Sequence, residues 1–513
     1  MKAIRTLALA TAMALPAGHD AMALSLKQIL RHETGVFNKG AAEIVAFDAG
    51  TGRFYVVNGA TPAIDILQLA GTAPESATWA KAGALTLEAD ESPTSVAVHG
   101  GVIAAAVQGA KEQGRPGKVI FFDGTGKRTA EVVTGSLPDM VTFSPDGKYV
   151  LTANEGEPTD TLDPDGSVSI IDISGGVANA KAVNVGFEGV DAAQMRAAGV
   201  RLFPGKMPTQ DFEPEYVAIS ADGKTAWVVL QEANAFAKID IPSATLTAIL
   251  PLGVKDHSRA GNGLDPNDKD SAIDIAPVNV RGLYMPDSAV AFTVGGASYI
   301  ITANEGDARS EDERVEKARI DANALTGDQK KKLARLKISS IDGDTDGDGD
   351  IDQLHTFGAR SFSIWDAEGR QVFDSGDQIE QITAERLGNN FNNNNEENKG
   401  DSRSDDKGPE PEGLDVGVIN GRTYAFIGLE RTGGVMVFDI TNPKAPVFTA
   451  YENNRSFITS LDFSLKSDLS AAGDLGPEGV RFIAADGNPL GVPLLAVASE
   501  VSGTVTLYAV HGR

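Results

Sequence analysis

Pro214-Glu215-Tyr216-Val217-Ala218-Ile219-Ser220 is followed by Ala221-Asp222-Gly223-Lys224 and then by Thr225-Ala226-Trp227-Val228-Val229-Leu230-Gln231-Glu232. Alternating apolar, β-branched and aromatic residues on both sides of an Asp-Gly turn read as two strands of a hairpin. The same order recurs from near Ala42, Pro93, Pro138, Pro286, Pro411 and Pro477, which makes seven copies. One such unit cannot bury its own apolar faces. Seven in succession predict an all-β chain in which the units stack on one another, a seven-bladed β-propeller.

Each copy continues into a third strand, as in Ser167-Val168-Ser169-Ile170-Ile171-Asp172 and Gly434-Val435-Met436-Val437-Phe438-Asp439. A fourth follows in most copies, for example at Gln371–Phe373 and Ala445–Thr449. The last copy ends near Val510, too late for a fourth strand of its own. Residues 25–36 precede the first copy and can supply it, closing the ring and removing an exposed sheet edge. Hairpin turns such as Ser144-Pro145-Asp146-Gly147-Lys148 are short. The long insertions, residues 156–166, 186–213, 253–285, 306–360 and 377–410, all fall at the opposite end of the units. One face is therefore elaborated, and loops on a rigid scaffold are where binding residues concentrate.

The chain has 513 residues and a formal net charge of −26, which argues against nucleic-acid or anionic-membrane partners and suits cations. There is no cysteine, so disulfides, thiol catalysis and thiolate metal sites are excluded. Lys2 and Arg5, the apolar Leu7–Leu15 and Ala21-Met22-Ala23 read as a secretory signal over residues 1–23, cleaved near Ala23. Residues 24–513 are then expected to be one propeller domain, a periplasmic or secreted monomer. No later run is long and apolar enough for a transmembrane helix.

Carboxylates recur at two positions of the unit. Glu43, Asp139, Glu215, Asp287, Glu412 and Glu478 open the first strand, and Glu155, Glu232, Glu305, Glu430 and Glu500 follow the second. Asn58 and Gln108 hold the remaining second positions. First strands line the central channel of a propeller, so these side chains should crowd one funnel. Crowded carboxylates do not all ionise without cations, and hard cations such as calcium favour such ligands. Capping of strand ends is the plain structural alternative. Basic residues beside the rings, Arg281, Arg309, Lys407 and Arg431, could bind a phosphate or carboxylate ligand, or form ion pairs.

Within one insertion, residues 342–352 alternate Asp with Gly. Asp342, Asp344, Asp346 and Gly347 match the opening of an EF-hand-like calcium loop. Position twelve is Gln353, so Asp350 or Asp352 is expected to supply the remaining carboxylate. Residues 311–338 look helical, with Thr326 and Gln329 forming a capping box, and Asp191–Gly199 fits a short helix. The Asn-rich segment 389–407 is a polar loop that can offer amide oxygens to a cation or close as a lid.

Thr152-Ala153-Asn154-Glu155-Gly156-Glu157, Thr302-Ala303-Asn304-Glu305-Gly306-Asp307-Ala308-Arg309, Phe357-Gly358-Ala359-Arg360-Ser361-Phe362-Ser363-Ile364 and Ser404-Asp405-Asp406-Lys407-Gly408-Pro409-Glu410-Pro411-Glu412-Gly413 resemble motifs of the choice-of-anchor I family. The units also resemble YVTN-type blades. The family resemblance spans residue 25 to the end and implies a seven-bladed propeller. Bacterial members are often labelled alkaline phosphatase or phytase-like, and animal members are associated with calcified skeletons. Nothing resembling a sorting signal follows Arg513, unlike the common anchored form. Two functions are compatible with these residues. The first is a calcium-dependent phosphoester hydrolase, with Glu155, Asp287, Glu305, Glu412 and Glu430 as metal ligands or base and a small phosphorylated substrate clamped by Arg281, Arg309, Lys407 and Arg431. An additional divalent metal would sit at the funnel. The second is a non-catalytic calcium-binding scaffold that holds an envelope protein partner or mineral ions.

Overall fold

The computed structural model describes residues 23–109 and 115–512. All but the last residue of the expected signal segment lie outside these described residues. Seven antiparallel sheets of four strands form the framework of the described residues. Sheet 1 comprises Val45–Asp48, Arg53–Asn58, Ala63–Ala70 and Thr78–Thr86; sheet 2 comprises Ser92–His99, Val102–Gln108, Pro116–Phe122 and Arg128–Ser136. Sheet 3 runs from Pro138–Phe143 to Lys181–Val185 and sheet 4 from Pro214–Ile219 to Thr245–Pro251. Sheet 5 joins Ala289–Val294, Ala297–Asn304, Ser361–Asp366 and Gln371–Asp374, and sheet 6 runs from Pro411–Ile419 to Val447–Glu452. Sheet 7 is made of Pro477–Ile483, Leu494–Ser499, Thr504–Gly512 and, from the other end of the chain, Leu24–Glu33. Ser25 pairs with His511 and Leu30 with Leu507, so the ring is latched by both chain ends.

The first strand of each sheet touches the first strand of the next, and Pro477–Ile483 returns to Val45–Asp48. This cyclic contact makes the architecture a β-propeller. Apolar residues from facing sheets fill the gaps between them. Between sheets 3 and 4 these include Leu151, Val168, Val217 and Val228. Between sheets 5 and 6 they include Ile301, Ile364, Leu414 and Ile427. The Trp365 ring meets Tyr284 edge-on at 5.1 Å, and its indole N–H donates to Thr302 Oγ1 at 2.9 Å.

The insertions fold on one another rather than lying loose. Leu264, Val280, Leu333, Leu336, Ile338 and Leu354 form a satellite core. The expected helix over 311–338 is corrected: only Gly327–Leu333 is helical, capped by Thr326 and Gln329 as read from the sequence. Asp312–Arg314 and Lys337–Ser339 pair as strands instead, which lets Val315 and Ile338 reach the satellite core from both sides. The short helix Ala192–Ala198 lies where expected, with Asp191 as its N-cap and Gly199 in the left-handed region at φ 92°. Helices Gln378–Leu387 and Lys466–Ala472 are additional. The Asn-rich segment packs inward, with Asn392, Asn393 and Asn395 fully buried.

Candidate functional site

The position of the inner carboxylates follows from a recurring bulge. The register of the first hairpin slips between Pro138 and Met140, Pro214 and Val217, Pro411 and Leu414, and Pro477 and Val480. Asp139, Glu215, Glu412 and Glu478 occupy these slips. A bulge leaves its extra residue out of the ladder and re-aims its side chain, here away from the sheet faces. Two glycines then allow neighbouring first strands to close up. A Cβ at Gly413 would lie 1.6 Å from the Glu478 carbonyl, and one at Gly479 would lie 2.5 Å from the Glu43 carbonyl. The Ser288 hydroxyl donates to the Glu412 carbonyl, fixing Asp287 beside Glu412.

The outer carboxylates are set by backbone bonds at the end of the second strand. The amides of Glu155, Glu430 and Glu500 each donate at 2.8 Å to the carbonyls of Leu137, Glu410 and Gly476. These three acceptors have φ of 49°, 52° and 68°. Asn304, just before Glu305, is locked by its amide, which donates to Ser361 at 3.1 Å and Ser363 at 2.8 Å. Asn154 does the same with Ser167 and Ser169 before Glu155.

The two rings differ in charge balance. Among the described residues, the ion pairs of the funnel go to the outer carboxylates and their neighbours. Lys407 Nζ lies 2.6 Å from Glu305 and 3.0 Å from Glu410. Arg431 lies 2.9 Å from Glu430 and 3.4 Å from Glu410, while Arg403 reaches Glu410 at 2.6 Å. Arg309 is shared by Asp211, Glu213 and Glu232 at 2.7, 3.0 and 3.3 Å. The three substrate-binding candidates at the funnel are therefore already held by carboxylates. Arg281, the fourth, pairs with Asp256 in a small sheet beside His355.

Protonation follows from this balance. Burial, then Lys407, Arg403 and Arg431, act on Glu410, and the cations prevail to hold it well below the usual carboxylate range. The inner ring forms no ion pair among the described residues, and Lys407 opposes the rise only at Asp287. Burial, reinforced by Asp139 and Glu500, pushes Glu43 up to about 8. Asp139 is raised to about 6 by burial and Glu157. Glu215, Asp287, Glu412 and Glu478 are raised well above their ordinary values by burial and then by neighbouring carboxylates of both rings, such as Glu232 on Glu215, Glu305 on Asp287, Glu430 on Glu412 and Glu43 on Glu478. On the outer ring, burial outweighs Arg431 and lifts Glu430 to about 8. Glu155 is raised by burial and by Asp139, Glu157, Glu232 and Glu213.

Two trios bring carboxylate oxygens within 4.8 Å of one another, Asp287–Glu305–Glu412 and Glu305–Glu410–Glu430. The second is neutralised by Lys407, Arg403 and Arg431. Among the described residues, the first has Lys407 as its one ion-pair partner for three carboxylates, and Glu412 keeps a buried Oε2 with no hydrogen-bond partner. Its donor set therefore fits a hard divalent cation. Glu43, Asp139, Asp287 and Glu478 also line a cavity of about 330 Å³ that runs past Tyr216 toward Arg481. Glu410 and Glu213 were missed by sequence reasoning. Each precedes the proline of its repeat, as Glu410-Pro411-Glu412 and Glu213-Pro214-Glu215, and that doubled acid was the available signal.

In the Asp-rich loop, Asp342 is engaged by Arg201 at 2.8 Å and by Ser339 at 2.6 Å. Asp344 accepts from the amides of Gly347 and Gly349 at 2.7 and 2.9 Å, and Asp352 accepts from Thr345. Asp344, Asp346 and Asp348 are exposed and bring oxygens within 4.8 Å, so Asp348 joins the candidates. Asp350 keeps one buried oxygen without a partner. His257 and His355 bond to the carbonyls of Asn262 and Gln353, and burial lowers both toward the neutral form.

Comparison with known proteins adds family but little chemistry. Gigasin-3a of Magallana gigas is 28% identical over 188 residues, 35% of this chain and 65% of that protein. The chain thus spans just under two thirds of the length of the curated relative it matches. Hydrazine synthase of Kuenenia stuttgartiensis superposes with a TM-score of 0.46 at 14% identity, over 92% of this chain and 96% of that one. The Cps50 (Swd1) β-propeller domain of Myceliophteria thermophila gives 0.45 at 10%, covering 94% and 99%. Such scores carry no argument, and the fold rests on the cyclic contact of the sheets. The model of the choice-of-anchor I domain matches residues 43–443, and the chain belongs to that family.

Proposed function

We propose that this is an exported, calcium-binding propeller of seven blades whose funnel holds a divalent cation between Asp287, Glu305 and Glu412. The observation that carries the reading is the missing counter-charge of the inner ring: six buried or half-buried carboxylates with no ion pair among the described residues. A cation bound there lets neighbouring carboxylates ionise together, which they otherwise resist. The Asp-rich loop is read as a second calcium site, built from Asp344, Asp346, Asp348 and Asp350, that pins the satellite core. The signal-like N-terminus, the acidic charge and the absence of cysteine are in keeping with a periplasmic or secreted setting. Among the described residues, no helix is long and apolar enough to cross a membrane.

Phosphoester hydrolysis is the second reading, favoured by Lys407 and Arg431 at the same mouth as the metal trio. Both are already paired, so a phosphate would have to displace carboxylates from them, and a scaffold role needs no such exchange. The test is calorimetric titration of calcium into metal-stripped protein and into Glu412→Gln. The substitution should weaken binding at the funnel at least tenfold while raising the melting temperature of the metal-free protein, because it removes a buried carboxyl that must take up a proton on folding. Unchanged affinity would overturn the site. Calcium-dependent release of phosphate from p-nitrophenyl phosphate, lost in Glu412→Gln, would select the hydrolase; no release would leave the scaffold.

A further inference from the structure

Away from the funnel, a second group of acceptors is buried between helix Gln378–Leu387 and the Asn-rich segment. Glu380 and Asn392 are both 0% exposed. Glu380 Oε1 takes Arg360 Nη1 at 2.7 Å and Asn392 Nδ2 at 2.9 Å. Asn392 Nδ2 also donates to Ser404 Oγ at 3.0 Å, and Ser404 donates to Asp401 at 2.7 Å. These bonds fix the amide's orientation, since turning it over would set its oxygen against Glu380 Oε1. Two acceptors of groups in direct contact are then left with no donor, Glu380 Oε2 and Asn392 Oδ1. Buried acceptors left without a donor call for a cation or a water.

Charge separates the two. The Arg360 guanidinium balances Glu380, and its remaining bonds go to the carbonyls of Asp265, Ser404 and Asp406. Asp265, fully buried, and Asp401 have no basic partner among the described residues. Burial pushes Asp265 up to about 7 and Asp401 to about 6, and Glu380 and Asp401 add to the rise at Asp265. A water satisfies two hydrogen-bond acceptors but leaves this negative charge uncompensated. A hard cation does both, and carboxylate and amide oxygens are its ordinary ligands.

We infer that Glu380 Oε2 and Asn392 Oδ1 are ligands of a buried calcium-type cation that locks the Asn-rich segment onto helix Gln378–Leu387. The inference is independent of the funnel. Its consequence is that the wall carrying Asn395, whose amide donates to Glu430 at 2.7 Å, is held by a metal rather than by packing alone.

Crystals of the wild-type mature chain, grown with calcium and soaked in manganese or terbium, test it directly. An anomalous peak about 2.3–2.6 Å from both oxygens is expected. A water at that position, with anomalous peaks confined to the funnel or the Asp-rich loop, overturns it. In solution, Asn392→Asp should enlarge the calcium-induced rise in melting temperature, because it adds a charge to the ligand set. An equal or smaller rise than in wild type overturns the assignment.

Discussion

Raising the pH of metal-stripped protein should destabilise it through the funnel carboxylates, and calcium should reduce the effect. The folded carboxylates have raised pKa values: about 8 for Glu43, about 9 for Glu213 and about 8 for Glu430. A raised folded pKa stabilises fully below the unfolded value and is lost as pH climbs through the folded one, because the unfolded chain has already released its proton. His257 and His355, held neutral, act in the opposite sense only up to about pH 6.5, so the window is set above pH 7. Each proton retained by the folded state costs about 1.4 kcal/mol per pH unit. Between about pH 7 and about pH 9, Glu43 and Glu430 then lose about 1.4 kcal/mol each and Glu213 about 2.3, a total of about 5 kcal/mol. Unfolding entropy of about 2.1 cal/mol/K per residue gives about 1 kcal/mol/K for this chain, so the melting temperature should fall by about 5 °C. Differential scanning calorimetry in chelator at the two pH values, repeated in millimolar calcium, measures it. With calcium on the ring, Glu43 and Glu430 stay ionised and the fall should shrink to the roughly 2 °C that Glu213, held by Arg309 outside the ring, still contributes. A melting temperature that rises with pH in chelator, or falls equally with calcium present, would refute the charge argument.

Lys407→Met should destabilise the protein by about 3 kcal/mol in chelator, since removing one partner of a buried pair strands the other; Glu410 keeps Arg403 and Arg431, but Glu305 keeps only Gln231 at 3.0 Å. Denaturant unfolding reads this, and a loss below about 1 kcal/mol contradicts the pairing. Asp344→Asn should change metal-free stability by less than about 0.5 kcal/mol, as expected for an exposed side chain, but should remove part of the calcium-induced rise in melting temperature. A full rise in that variant rules out the Asp-rich loop as a site.

The strand repeats were legible because alternation and Asp-Gly turns are local signals, and each hairpin forms where its residues dictate. The insertions were less legible because their cores are long-range. Val315, Leu333 and Ile338 bury against Leu264 and Val280, residues from another insertion, and that demand overrides a helical reading of 311–338. The acidic ring was visible as recurrence, yet its sorting into a balanced outer and an unbalanced inner set was not. Which carboxylate Arg309 or Lys407 reaches depends on contacts with residues roughly a hundred positions away along the chain, such as Asp211 for Arg309 and Glu305 for Lys407.

That sorting bears on the order of events at the funnel. In the metal-free funnel, burial and crowding keep Glu412, Glu478 and Asp287 protonated, while Lys407, Arg431 and Arg309 are each paired with carboxylates. A cation bound there would add positive charge at the mouth and so strengthen attraction for a phosphate. A cation at Asp287–Glu305–Glu412 would also compete with Lys407 for Glu305, because both need the same oxygens. Release of Lys407 from Glu305 leaves it on Glu410, still facing the mouth and with one fewer carboxylate to neutralise it. On the proposed reading, metal binding would therefore free a self-paired lysine, and a negatively charged ligand of the funnel would bind more tightly after the metal than before it.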